Sequence, residues 1–369
     1  MNMIYVIGTF IAFFLCIIIL TKKGRNFADK ILGIWMLIIG LHLLAYYSFV
    51  SGMIYQYPDI LWLNMPYPFL HGPMLYLYTL ALTNPEKFNT KNWLFHFIVP
   101  VFVLVIHTPF MLLPKNELAE IIRNSDQNEK YWQSILSNII LISSGFFYVF
   151  ATNRLLSRHK KRILNQFSNQ EKINLNWLKM LFYGMGLMWI FIIFVGYDPL
   201  IFSAASIFII FIGYYGIKQV GIFTNQNLEV EEPVFEIVNE ENTEKKKYAK
   251  SGLSEDVAKD LHLKLRSLMA TEKLFTEPEL TLSDLANRLE IHPNYLSQVI
   301  NEMEGMNFYD YINGLRIEEF KRLVTIPENQ RFTLLALAYE CGFNSKSAFN
   351  RFFKKATDLS PSEYVKNLN

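Results

Sequence analysis

Two kinds of hydrophobic pattern divide the chain. Long unbroken apolar stretches separated by short polar ones fill the first two hundred residues, whereas the last hundred or so carry apolar residues at helical spacing among charged ones. Seven apolar stretches lie at about 3–20, 31–50, 60–82, 93–113, 135–153, 178–196 and 199–217. Each is close to the ~20 residues that a helix needs to cross a ~30 Å hydrocarbon core. The first has no Lys or Arg before its apolar run and no small-residue cleavage pattern after it, so it reads as a retained span. From about 222 to 252 the pattern stops: seven Glu, from Glu229 to Glu244, precede Lys245, Lys246 and Lys247 with few apolar anchors. Such a run cannot bury enough surface to fold alone, and as a flexible tether about 30 residues would span roughly 30 Å.

Periodicity returns after that run. Val257, Leu261, Leu265 and Leu268 fall at helical spacing behind Ser254, a residue type suited to an N-cap. From there to the end the sequence reads as short helices with no strand pattern. The expected fold is therefore all-α: a seven-span domain over 1–221, a charged flexible linker over 222–253 and a helical domain over 254–369.

Composition and charge sharpen this division. Only 18% of the 369 residues are charged and 51% are apolar; a soluble protein carries about 25% charged residues, so part of the chain is solvated by something other than water. The three alternate loops 21–30, 83–92 and 154–177 hold twelve Lys and Arg between them, against three in the intervening loops. An excess of Lys and Arg marks the cytoplasmic side, which predicts an inner-membrane protein with its N-terminus outside and its C-terminal domain inside. The two cysteines, Cys16 and Cys341, sit in different parts of the chain; they form no disulfide framework, and neither has a CxxC neighbour for a metal. With no nucleotide-binding loop, zinc signature or nucleophile motif in the sequence, neither an enzyme nor a bound cofactor is expected.

The C-terminal region repeats itself. LANRLEIHPNYLSQVINEMEG (285–305) and LAYECGFNSKSAFNRFFKKATD (337–358) share a plan of short helix, turn and second helix. Ala286 matches Ala338 and Ile291 matches Phe343 at an offset of 52; beyond the turn Leu296 matches Phe349 and Gly305 matches Asp358 at 53, so the second turn has one residue more. Each unit reads as a helix-turn-helix whose second helix projects outward. In the first, Leu296, Val299 and Ile300 face the core, and Asn294, Tyr295, Ser297, Gln298 and Asn301 face out. In the second, Phe349, Phe352 and Phe353 go inward, leaving Lys346, Asn350, Arg351 and Lys354 exposed, with Ser345 and Ser347 beside them. NFYDYINGLRIEEFKRLV (307–324) predicts a linking helix about 25 Å long at 1.5 Å per residue. That length suits two helices entering successive major-groove segments ~34 Å apart.

These residues carry a resemblance. LSDLANRL, NYLSQVIN, Gly305, Phe308, LRIEEFKRL, ALAYECGF, Ser347, Phe349, Arg351, FFKK and SPSEY (360–364) look like the DNA-binding domain of AraC/XylS-type transcription regulators. The resemblance implies two helix-turn-helix units whose second helices read promoter DNA, with Arg351 on a phosphate. HGPMLYLYTLAL (71–82), HFIVP (96–100) and GYYGIKQVGIF (213–223) are similar to a membrane-anchored subgroup of that family. Three positions depart from its pattern. Asp358 stands where Gly is usual, at a turn that favours positive φ; Phe320 replaces a small residue; His292 occupies an N-cap before Pro293.

Charge opposes the DNA reading in part. Residues 251–369 hold 14 Lys and Arg against 17 Asp and Glu, whereas nucleic-acid binders usually present a basic footprint. The four bases Lys346, Arg351, Lys354 and Lys355 cluster in the second unit, while the first second-helix has none. Its Asn and Gln can pair with adenine edges but add little electrostatic affinity, so a homodimer or adjacent half-sites would be needed. The competing reading is a membrane receptor whose helical tail docks a protein partner.

In the third apolar stretch Asn64, Pro66 and His71 suggest a kinked helix lining the pocket of an unknown signal ligand, against a kink satisfied by neighbouring helices. His42, His71, His96 and His107 are expected to bond between helices and not to hold a metal. Gly184, Gly186, Gly213 and Gly216 are read as close helix packing, and Trp62, Trp93, Trp132 and Trp177 as interfacial anchors. Cys341 is read as a small buried residue.

Overall fold

The long apolar runs and the shorter stretches with apolar residues at helical spacing both fold into helices among the described residues. The computed structural model describes residues 2–84, 88, 91–123, 132–169, 176–218 and 254–368. The expected linker over 222–253 lies outside the described residues. Two compact units emerge: residues 1–158 with 175–229, and residues 159–174 with 230–369. The boundaries expected at 221 and 254 did not anticipate that 159–174 group with the second unit.

The first unit contains α1 (Asn2–Thr21), α2 (Phe27–Val50), α3 (Ile60–Asn64), α4 (Tyr67–Thr83), α5 (Ile98–Met111), α6 (Lys115–Arg123), most of α7 (Trp132–Gln166), α8 (Asn176–Ile190) and α9 (Asp198–Lys218). Leu15, Trp35, Met36, Met74, Leu75, Leu181 and Ile209, drawn from five of these helices, form its main core. A capping box starts α2, Asn26 accepting from the Asp29 N–H while Asp29 accepts from the Asn26 N–H. Close approach of helices is visible where a Cβ on Gly184 would meet Phe208 and one on Gly213 would meet Ile11. Gly186, by contrast, faces open space, and the surroundings of Gly216 lie outside what is described.

Five helices among the described residues are long and apolar enough to cross a membrane: Met3–Thr21, Phe27–Val50, Asn92–Phe110, Trp132–Gln166 and Leu178–Val195. A sixth, Asp198–Tyr214, is apolar but shorter. Phe10, Phe146, Phe150 and Phe194 point outward, each more than 60% exposed. Trp132 is exposed too. The apolar stretch at 60–82 is not one helix. It divides into α3 and α4 around Met65 and Pro66, because Pro66 and Pro68 supply no N–H to continue the ladder, and Pro73 sits inside α4.

The second unit contains the end of α7, then α10 (Glu255–Glu272), α11 (Leu282–Arg288), α12 (Pro293–Met303), α13 (Phe308–Val324), α14 (Leu334–Glu340), α15 (Lys346–Thr357) and α16 (Pro361–Leu368). Ser254 caps α10 as expected, accepting from the Val257 N–H at 3.4 Å. Val257 itself is 48% exposed; the buried stripe of α10 is Ala258, Leu261, Leu265 and Met269. Two cores flank the linking helix α13. Leu285, Ala286, Leu296, Ile300 and Ile312 belong to one, and Ile317, Phe320, Ala338, Phe349 and Phe353 to the other.

Candidate nucleic-acid interface

The two halves of the second unit repeat the cap of the first helix and the bond that closes the turn. Thr281 caps α11 by accepting from the Asp284 N–H, and Thr333, 52 residues on, caps α14 by accepting from the Ala336 N–H. The turn that follows closes alike in both: Ile291 donates to Ala286 O at 3.0 Å, and Phe343 to Ala338 O at 3.1 Å. Each turn needs one left-handed residue, Glu290 at φ 55° in the first and Gly342 at φ 94° in the second. A second left-handed position ends each outer helix, Gly305 at φ 68° and Asp358 at φ 58°; Asp tolerates that region better than most residues. The extra residue of the second turn separates Gly342 from the N-cap Ser345, whereas Glu290 stands two before the N-cap His292.

Those caps fix the outer helices. His292 Nδ1 accepts from the Asn294 N–H at 3.2 Å, so a histidine does the work usually given to Ser. Ser345 Oγ accepts from the Ala348 N–H at 3.1 Å, which ties that hydroxyl to the cap. Phe320 is fully buried against Phe349 and Phe353, with ring centroids 4.7 and 5.4 Å away. The large ring replaces a small residue by making an aromatic core between linking helix and second unit.

On α15 the expected outward set is exposed: Lys346, Ser347, Asn350, Arg351 and Lys354. Lys346, Asn350 and Lys354 border a groove of about 430 Å³ that Ser360 and Ser362 also line. Two partners missed by sequence reasoning orient the remaining bases. Arg351 donates to Tyr309 Oη at 2.7 Å, and Lys355 to Asp310 Oδ1 at 2.8 Å. Both partners lie in the first turn of α13, more than forty residues upstream, where only the packing of α15 on α13 could reveal them.

On α12 the picture differs from expectation. Asn294 and Tyr295 are exposed, but Gln298 is only 5% exposed and its amide donates to Glu302 Oε1 at 3.0 Å. The assignment of Gln298 to the outward face is therefore corrected. Ser297 and Asn301 are half-buried, and the Asn301 amide donates to the Ser297 carbonyl at 2.7 Å. At about 100° per residue, position 298 lies roughly 150° from the centre of the apolar stripe 296, 299, 300 and 303, so helical periodicity alone puts it outward, and its burial is a tertiary effect.

Cys341 is fully buried, and burial together with nearby Glu319 and Glu340 pushes its thiol up to about 12. It is a core residue. In the first unit, His42 Nδ1 and His71 Nε2 are 2.9 Å apart, Trp35 donates to His71 Nδ1 at 3.3 Å, and His96 lies 3.0 Å from Tyr148 Oη. Three of the four histidines thus bond between helices, while His107 faces the Val103 carbonyl of its own helix. Pro66 stands at the start of α4, and the buried Asn64 Oδ1 has no hydrogen-bond partner among the described residues.

Residues 285–367 match a family described as a helix-turn-helix domain. The C-terminal unit carries a helix-turn-helix domain. It is similar to the uncharacterized HTH-type transcriptional regulator YijO of Escherichia coli K12, 35% identical over 85 residues that cover 23% of this chain and 29% of that protein. The uncharacterized HTH-type transcriptional regulator YobQ of Bacillus subtilis is 35% identical over 89 residues, or 24% of this chain and 36% of its own length. The transcriptional regulatory protein HptR of Staphylococcus aureus is 27% identical over 90 residues, 24% and 34% of the two chains. The chain thus spans about a third of the length of these relatives. No solved structure matches it.

Proposed function

We propose that this chain is a membrane-bound transcriptional regulator, not an enzyme, that binds promoter DNA through α12 and α15. The observation that carries the proposal is the repeated helix-turn-helix on one linking helix, in a region similar to named transcriptional regulators. Exposed Asn294, Tyr295, Lys346 and Asn350 would read base edges, with Ser297, Asn301, Ser345 and Ser347 in supporting positions. Arg351 and Lys354 would hold phosphates. The five long apolar helices among the described residues support a bacterial inner-membrane location; seven spans, the N-terminus outside and the helix-turn-helix unit in the cytoplasm rest on the hydropathy and the Lys and Arg pattern of the sequence. A signal ligand bound near Asn64, Pro66 and His71 would set the activity, and a homodimer would supply the affinity that one acidic domain lacks. A second reading, a receptor tail that docks a protein, is favoured by the buried Gln298 and by the excess of acidic residues over 251–369. Chromatin immunoprecipitation of the intact protein separates the two: the regulator enriches discrete promoters, and enrichment of none would leave the docking reading.

A further inference from the structure

The second unit contains a piece of chain that comes from far upstream. Ser168 is 2% exposed and uses every polar group it has. Its N–H and Oγ donate to Leu280 O at 3.2 and 2.6 Å, its carbonyl accepts from Asn313 Nδ2 at 3.1 Å, and its Oγ accepts from Arg316 Nη2 at 3.3 Å. Phe167 forms an antiparallel bridge with Thr281, and Leu164 packs on the core that holds Phe320, Leu337 and Phe349. These contacts reach the entry to the first helix-turn-helix, the linking helix and the core of the second.

Arg316 explains why the segment belongs there. Its side chain is 2% exposed and donates to Phe275 O at 2.6 Å, Glu277 O at 2.7 Å and Asn313 Oδ1 at 3.2 Å as well as to Ser168. Burial lowers its pKa to about 10, so it stays charged at neutral pH. A buried guanidinium needs an acceptor for each donor, and Ser168 supplies one of them while fastening the Phe275–Thr281 loop to α13.

We propose that residues 163–168 are a clip that sets the placement of the two DNA-reading helices, and that release of this clip changes how firmly the unit holds double-stranded DNA. The clip ends α7, whose earlier residues 132–158 belong to the first unit. Two recognition helices must hold one spacing to enter successive major grooves, and Ser168 with Arg316 fastens α13, the helix that spaces them. The DNA consequence rests on the regulator reading above; the docking of the clip does not.

The test uses the full chain in lipid nanodiscs and a duplex selected from a random 60-base-pair pool by the unmodified protein. Ser168→Pro removes the N–H and the hydroxyl together; faster amide exchange across 308–324 and at least tenfold weaker DNA binding are expected. As a reversible control, Phe167→Cys with Thr281→Cys places two thiols at a cross-strand pair, within disulfide reach. The oxidised form should exchange more slowly over 308–324 and bind the duplex more tightly than its own reduced form. Unchanged exchange in Ser168→Pro, or altered exchange with equal DNA affinity in both redox forms, would overturn the clip. If no form selects any duplex, the regulator reading fails, and the exchange data alone decide whether the clip holds the unit together.

Discussion

Gly342→Ala probes the turn on which the second helix-turn-helix depends. The residue adopts φ 94°, and a Cβ there would stand 2.7 Å from the carbonyl oxygens of both Phe275 and Thr276 and 2.8 Å from the Thr276 carbon. All three are backbone atoms, so no side chain can swing away. A left-handed conformation costs an L-residue ~1–2 kcal/mol, and the forced backbone shift adds ~1–3 kcal/mol of local strain. Restricting the unfolded chain returns ~0.4–1 kcal/mol. The net loss is about 1–4.5 kcal/mol, with a central value of ~3 kcal/mol. Glu290 supplies the control, because it holds the matching turn at φ 55° with a side chain already present. Glu290→Gly relieves ~1–2 kcal/mol of strain against the same entropic term, so stability should rise slightly or hold. The assay is native-state amide exchange of the buried α13 and α14 amides in the full chain. Gly342→Ala within 0.5 kcal/mol of the unmodified protein, or both variants shifting alike, would refute the reasoning.

Other outcomes follow from the interface. Lys354→Ala should weaken binding to every duplex alike and lower the salt slope by about one, whereas Asn350→Ala should relax preference at particular base pairs at ~1–3 kcal/mol each; competition binding over a salt series reads both. Gln298→Ala should lower stability and leave base preference unchanged, checked by exchange and by selection from a random pool, since its amide is spent on Glu302. Hydrogen bonding from Arg322, aided by Lys273, holds Glu319 down to about 2. Its folded pKa lies below the ordinary carboxylate value, so the stabilisation is fully present above pH ~4.5 and is lost as pH falls toward 2. Lys273 and Arg322 are 44% and 53% exposed, so solvent screening limits the contribution to about 1 kcal/mol. Glu319→Gln should remove that part of the acid dependence in a denaturation series from pH 6 to pH 2.

Much of the second unit was legible because its signals are local. The repeat, the N-caps Ser254 and His292 and the left-handed turn at Asp358 each depend on residues a few positions apart. The outward set on α15 was legible for the same reason: three Phe at helical spacing define the inner face and leave the opposite one to Lys346, Asn350 and Lys354. On α12 periodicity points Gln298 outward, yet the folded unit buries it, which no local pattern in the sequence shows. In the first unit, hydropathy averages over a window and so passes across Pro66 and Pro68, where the hydrogen-bond ladder breaks.

By itself the sequence determined an all-helical chain, its apolar first part and a matched pair of helix-turn-helix units, since periodicity and turn chemistry are properties of neighbouring residues. Tertiary structure alone decided which distant groups meet. Tyr309 and Asp310 hold Arg351 and Lys355 across more than forty residues, and Ser168 reaches Leu280 from 112 residues away to bond beside a buried Arg316. No spacing rule links a serine to a carbonyl at that distance. The contact exists because a buried guanidinium and the carbonyls around it must all find partners, and the end of α7 supplies one.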